Sequence, residues 1–297
     1  MEKKNAPLRI GFIGAGRLAC TLARAWANAG EIVVGASSRR AESVSALVAR
    51  CPDARPFHSA AELVDQCDLV FVTVTDTAIE EVSNAVAWHK GQSVVHCSAA
   101  CEVDLLHHAK QCGAEIGGFH PLQIFSDPEV AIRHLAGSSV AIEASGSLQA
   151  QLFRLASAIG MTPLTLREGA RLSYHLAGNF SASGLLALLL EAEDLWEDCG
   201  FERGTALPAL LPLSFGTLNS AAQLGLAKAV SGPVSRGDSE MLRRHLTLAA
   251  SRETGDQLYR ELLVRLIQLA NSSLRLTPDQ VTELRAALNG AARRIIP

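Results

Sequence analysis

The segment Gly14-Ala15-Gly16-Arg17-Leu18-Ala19 constrains this chain more than any other. It follows an apolar run, Leu8 to Ile13, and opens a stretch of helical periodicity, Arg17 to Ala29. A G-x-G-x-x-A loop placed between a strand and a helix is a dinucleotide-binding signature. Gly14 permits the tight turn, Gly16 lets the backbone approach a pyrophosphate, and Ala19 lets helix and strand pack closely. Arg17 and Leu18 begin the helix, whose free N–H groups and positive dipole end suit phosphates. The competing reading is an ordinary strand–turn–helix with glycines for packing.

The surrounding pattern favours the nucleotide site. Strand-like segments at Glu31–Ala36, Asp68–Val74, Ser93–Cys97 and Glu115–Phe119 alternate with helical stretches, among them Ala41–Ala49. Such alternation predicts a parallel, doubly wound sheet. Ser138–Glu143 and Pro163–Leu166 are candidate extra strands. After Arg167 the pattern becomes all-helical, with runs at Gly169–Cys199, Gly204–Leu226, Ser239–Ser251, Gly255–Asn271 and Pro278–Arg294. Thr254 and Thr277 are the expected caps of the last two. The expected division is residues 1–167, a dinucleotide-binding domain, and residues 168–297, a helical domain.

An NAD site usually places an acid after the second strand, on the ribose hydroxyl. Here the segment is Ser37-Ser38-Arg39-Arg40, without an acid. Hydroxyls and guanidinium groups suit a 2′-phosphate, so Ser38 and Arg39 point to NADP ahead of NAD. A solvated turn is the alternative. Thr75 and Asp76 end the third main strand, at the sheet edge where ligands bind, and are expected to border the nicotinamide ribose. Asp76 serves equally as a helix cap.

Polar residues elsewhere admit more than one role. His96, Cys97, Cys101, His107, His108 and Cys112 cluster in sequence, but the C-x3-C spacing is loose and lacks a second C-x-x-C pair, so no metal site is expected. His120 follows the fifth main strand in Phe119-His120-Pro121 and is either a site residue or a structural imidazole. His175, Asn179 and Ser183 recur at i, i+4 and i+8 and share one helix face. That face can hydrogen-bond a substrate carbonyl and supply a proton, or form a polar domain interface. Arg236, in Gly232-Pro233-Val234-Ser235-Arg236-Gly237-Asp238, is placed to bind a carboxylate, with Asp238 as a cap in the alternative reading.

Together these residues carry a family resemblance. The G-x-G-x-x-A loop, Gly118-Phe119-His120-Pro121-Leu122-Gln123, Tyr174-His175 and the Gly232–Asp238 block followed by His245 resemble bacterial Rossmann-like proteins with a helical C-terminal domain of unknown function, DUF2520. These are similar in turn to deazaflavin-dependent NADP oxidoreductases, pyrroline-5-carboxylate reductases and ketopantoate reductases. Two positions depart from the family pattern. His96-Cys97-Ser98-Ala99 stands where His-Thr-Ser-Gly is usual, and Ser183 stands where an Asn is usual, with Asn179 one turn earlier.

The resemblance implies an α/β Rossmann domain followed by an all-α domain of the 6-phosphogluconate-dehydrogenase-like type. It implies an NADP-dependent oxidoreductase but names no substrate; the leading reading is reduction of a small, anionic carbonyl or imine substrate in a cleft between the domains. His175 is then the expected acid, Asn179 or Ser98 orients the carbonyl, and His120 is the secondary candidate. Ser183 and Arg236 are assigned to the substrate. A non-catalytic NADP-binding sensor is the rival reading.

Bulk properties narrow the partners. A net charge of −3 over 297 residues gives no general basic character for nucleic acid. No run of about 20 apolar residues predicts a membrane span. Seven scattered cysteines do not form a disulfide framework, so the expectation is a reduced, cytoplasmic protein. The Ala/Leu-rich second half has more apolar helix faces than one small layer can hide, which predicts a homodimer.

Overall fold

The computed structural model describes residues 8–252 and 255–290. The expected cap Thr254 and the end of the last predicted helix lie outside them. Contacts divide the chain into one unit ending at Ala182 and another starting at Ser183.

The first unit holds one eight-stranded sheet. Its strands are β1 (Arg9–Ile13), β2 (Ile32–Ser37), β3 (Arg55–Pro56), β4 (Leu69–Val72), β5 (Ser93–His96), β6 (Glu115–Pro121), β7 (Ser139–Glu143) and β8 (Thr162–Thr165). They lie in the order β3-β2-β1-β4-β5-β6-β7-β8. The six strands from β1 to β6 pair in parallel, and order reverses on either side of β1 as in a dinucleotide-binding sheet. β7 runs antiparallel to β6, with Gly118 opposite Glu143 and His120 opposite Ala141. The sheet is therefore mixed at this end, where alternation alone predicts only parallel strands.

β3 is absent from the sequence pattern for a physical reason. Two residues carry no periodicity, and Pro56 has no N–H to donate. Its pairing depends on Gly35, whose φ is +150° and where a Cβ would lie 1.9 Å from the Arg55 carbonyl oxygen.

Apolar side chains fill both faces of the sheet, as a parallel sheet requires. On one face Phe12, Phe71 and Phe119 meet Trp26 of the helix Arg17–Asn28, with ring centroids 4.7 to 6.1 Å apart. The Trp26 indole N–H donates to the Leu155 carbonyl at 2.9 Å, so this large ring is buried without an unpaired donor. On the other face Leu63, Val70, Val72, Ile79 and Val94 form a second cluster.

The predicted run Gly169–Cys199 is two helices, Arg171–Ser181 and Ser183–Asp198. Ala182, at φ −110° and ψ −78°, breaks the helical geometry between them. The division of the chain after Ala182 rather than near Arg167 follows from Arg171. It is 1% exposed, and its Nε donates to Glu143 of β7 at 2.6 Å. The first helix after the sheet is thereby tied to the sheet.

In the second unit Val234, Leu242, Leu246, Leu263, Ile267 and Leu284 form a separate core. The segment between the predicted helical runs Gly204–Leu226 and Ser239–Ser251 contains a short helix, Gly232–Arg236, because Pro233 is accommodated at its first turn and Gly237, at φ +71°, ends it. Asp238 then accepts from the Met241 N–H at 3.0 Å and caps Ser239–Ala249. Thr277 and Gln280 cap Pro278–Gly290 reciprocally. The helices Ser183–Asp198 and Ala206–Leu224 behave differently: Ala206 is their only buried residue. No helix among the described residues is long and apolar enough to cross a membrane.

Candidate active site

The ends of β1, β2 and β4 meet at the glycine loop. Gly14, at φ +97°, donates its N–H to the Ser37 carbonyl at 2.8 Å. The Thr73 hydroxyl donates to the Gly14 carbonyl, also at 2.8 Å. A Cβ on Gly14 would lie 2.7 Å from the Thr73 carbonyl oxygen, so both conformation and space demand glycine. Gly16 has a different role. Its φ of −75° suits any residue, yet nothing lies within 4 Å of where its Cβ would stand. The free space beside Gly16 belongs to a cavity of about 1560 Å³.

That cavity fits a dinucleotide carrying an extra phosphate. Gly16 is the N-cap of Arg17–Asn28 and no side chain caps the helix, so the first-turn N–H groups remain available to an anion. Gly14, Gly16, Arg17 and Leu18 line one part of the wall. Ser38 and Arg39 line another, and Thr75 a third. Asp76 does not line it; it begins a single turn of 3-10 helix, Asp76–Ala78, and makes no capping bond. The Arg17 guanidinium donates to the Ser126 carbonyl at 3.0 Å, which fixes the loop after β6 beside the glycine loop. Arg40, Ser43 and His58 also line the wall, although of these only Arg40 is singled out by the sequence pattern. His58 follows the two-residue β3; the one local signal there is the Ser59-x-x-Glu62 cap.

A second polar group stands at the ends of β5 and β6. His96 is fully buried. Its Nε2–H donates to the Glu102 carbonyl and its Nδ1 accepts the Ser98 N–H, both at 3.2 Å. Burial, then the charge of Arg171, pushes this imidazole down to about 4. With both nitrogens used on the backbone, His96 organises the loop, and among the described residues no three His, Cys, Asp or Glu could hold a metal ion. The Ser98 Oγ accepts the N–H groups of Ala100 and Cys101 at 3.2 and 3.0 Å, leaving its own proton to donate.

His120 is half-buried. Its Nδ1 lies 2.9 Å from the Tyr174 hydroxyl, and its Nε2 has no partner among the described residues. Burial first, then the charges of Arg171 and His175, lowers this imidazole to about 4. Burial raises the Tyr174 phenol to about 12, so it remains a donor. His175 is close enough for its charge to act on His120; it is exposed, as is Asn179 one turn on.

Arg171 and Glu143 were not singled out from the sequence. The Gly117-Gly118 pair inside β6 is the signal that could have found them, since glycine in a strand interior often marks a close approach. A Cβ on Gly118 would lie 1.7 Å from Nη2 of Arg171. Ser183 and Arg236 lie in the second unit. Ser183 begins its helix and is exposed; Arg236 ends its short helix, exposed, with its carbonyl accepting from Gln280.

The two lowered imidazoles make stability depend on pH. The unfolded chain takes up these protons near the ordinary histidine value, the folded chain only near 4. Stability is therefore complete above about pH 6.5 and declines as pH falls towards 4, by up to about 1.4 kcal/mol per pH unit for each proton. Denaturant unfolding at successive pH values should show this slope, and His96→Gln should reduce it. A flat profile between pH 6.5 and 4.5 would contradict the assignment.

Comparison with known proteins adds the family. Residues 9–100 match the family described as NADP oxidoreductase, coenzyme F420-dependent, and residues 138–265 match the domain of unknown function DUF2520. BF3122 of Bacteroides fragilis, a candidate NADP oxidoreductase, is 26% identical with a TM-score of 0.68, over 88% of this chain and 98% of that one. TM1727 of Thermotoga maritima is 19% identical with a TM-score of 0.70, over 89% and 99%. A pyrroline-5-carboxylate reductase of Coxiella burnetii is 16% identical with a TM-score of 0.57, over 96% and 98%, a likeness of fold. No curated protein matches significantly. The N-terminal part of the chain thus matches the coenzyme F420-dependent NADP oxidoreductase model, and the part after it matches the DUF2520 model.

Proposed function

We propose that this NADP oxidoreductase-family protein reduces a small carbonyl or imine acid, using NADPH. The observation that carries the proposal is the cavity itself: an uncapped helix N-terminus at one wall and Ser38 with Arg39 at another. When bound, the nicotinamide supplies the hydride. The N–H groups after Gly16 hold the pyrophosphate, and Gly16 gives it room. Ser38 and Arg39 hold the 2′-phosphate, with no acid at the end of β2 to repel it. Thr75 borders the nicotinamide ribose, with Asp76 just beyond.

Proton handling falls to the second polar group. The Tyr174 hydroxyl lies 2.9 Å from Nδ1 and 3.4 Å from the His120 carbonyl; in the tautomer where the phenol donates to Nδ1, neutral His120 carries its proton on Nε2, which can hydrogen-bond a substrate carbonyl or imine nitrogen. A ring held neutral to about pH 4 polarises well but is a poor proton source near neutrality. The exposed imidazole of His175 is the proton donor, with Asn179 and Ser98 orienting the substrate. The test is incubation with NADPH and a panel of 2-oxo acids and cyclic imines, following loss of the reduced nicotinamide. Tight NADPH binding with no turnover on any member would favour a non-catalytic sensor.

The helices Ser183–Asp198 and Ala206–Leu224 support assembly as a homodimer. Leu186, Leu190, Leu213, Phe215 and Leu218 are each more than half exposed, a larger apolar display than a monomer usually tolerates. Light scattering at micromolar concentration should give twice the 31.5 kDa of one chain; a monomer there would remove the idea.

Two substitutions test the site. Arg39→Ala should weaken NADPH binding by about 1.5–3 kcal/mol, the worth of a charge-assisted contact, and leave NADH binding little changed. An unaltered NADPH/NADH preference would show that this loop does not read the 2′-phosphate. His175→Ala should lower turnover by about 10²–10⁴ while NADPH affinity barely moves, with His120→Ala costing less. Equal turnover in wild type and His175→Ala would transfer the donor role elsewhere.

A further inference from the structure

Arg171 is the most deeply buried charge among the described residues of the first unit, 1% exposed, and it occupies a position that joins three elements. Its Nε donates to the Glu143 carboxylate of β7 at 2.6 Å. Its Nη1 donates to the Ser98 carbonyl in the loop after β5 at 2.7 Å. Its Nη2 is buried without a hydrogen-bond partner and lies where Gly118 of β6 has no side chain. A buried guanidinium with one donor unsatisfied is costly, and apolar residues of the same volume are often as stable or more so. Fold stability alone therefore gives no reason for it.

The same residue opens the helix Arg171–Ser181 that carries Tyr174 and His175. Tyr174 stands one turn on, with its hydroxyl 2.9 Å from Nδ1 of His120, and the two rings meet edge to face at 5.5 Å. We propose that Arg171 is a positioning residue: its fork, spanning Glu143 and the Ser98 carbonyl, locks this helix onto the sheet and so sets the Tyr174–His120 hydrogen bond. The inference rests on the reading of His120 as the group that meets the substrate.

Its electrostatics act in the same direction. His120 is faced by Arg171, Tyr174 and His175 from the helix, by His96 from β5, and by Asp76 from the turn after β4. Of these only Asp76 favours the protonated ring. Removing Arg171 withdraws a repelling charge and frees the helix to admit water, and both changes raise the proton affinity of His120.

The test is a nuclear magnetic resonance titration of the His120 ring in the full-length protein, with the signal assigned by its loss in His120→Gln. In the wild type the ring should stay neutral down to about pH 4. In Arg171→Met its proton affinity should rise at least tenfold, with NADPH affinity unchanged as the sign of an intact nucleotide domain. If the Met variant does not fold, Arg171→Lys carries the test. One ammonium cannot span Glu143 and Ser98 together, so the titration should still move upward, by less than in Met. A folded variant of either kind whose His120 titrates as in the wild type would overturn the proposal. Because the readout needs no turnover, a protein that reduces none of the tested substrates would refute the proposed reaction without touching this result.

Discussion

The close approach of three strand ends at Gly14 is the constraint on which the nucleotide half depends. The Gly14 N–H is taken by Ser37 at the end of β2, and the Gly14 carbonyl by Thr73 just after β4. Any side chain at Gly14 would strike the Thr73 backbone. With that turn closed, the helix Arg17–Asn28 starts directly beneath the cavity with its N–H groups uncapped. Trp26 on the same helix is then delivered onto Phe12, Phe71 and Phe119. One backbone junction thus fixes the proposed anion site and the packing of the face behind it.

The proposed substrate half of the site is built by polar contacts across the parallel-to-antiparallel switch. Reversing β7 places Glu143 opposite Gly118. The carboxylate receives Arg171, and the missing Cβ gives the guanidinium its space. Arg171 then reaches the loop that His96 and Ser98 organise through backbone contacts. Buried polar groups of this kind tolerate few rearrangements, because each lost partner leaves a desolvated donor or acceptor behind. Rigidity here fits the role proposed for His120, which is to present one ring nitrogen in one direction.

Local signals made much of this visible in advance. The glycine loop, the β-branched run of β4 and the change to helical periodicity are short-range patterns, and the sheet and its helices follow from them. The caps at Asp238 and Thr277 were equally local. What the sequence hid is long-range. β3 is two residues held by a glycine elsewhere, and the orientation of β7 is decided by its pairing with β6. Arg171 and Glu143 are 28 residues apart in sequence and joined by no motif. A strand glycine pair was the one trace they left, and an Arg at the start of a helix reads as solvated until its burial is known. His58 was hidden in the same way, placed on the cavity wall by a strand too short to recognise.

A crystal structure grown with NADPH tests the central claim most directly. The pyrophosphate should lie on the N–H groups that follow Gly16, with the 2′-phosphate held by Ser38 and Arg39. A dinucleotide bound in another place, or with its 2′-phosphate away from Arg39, would contradict the assignment of this cavity.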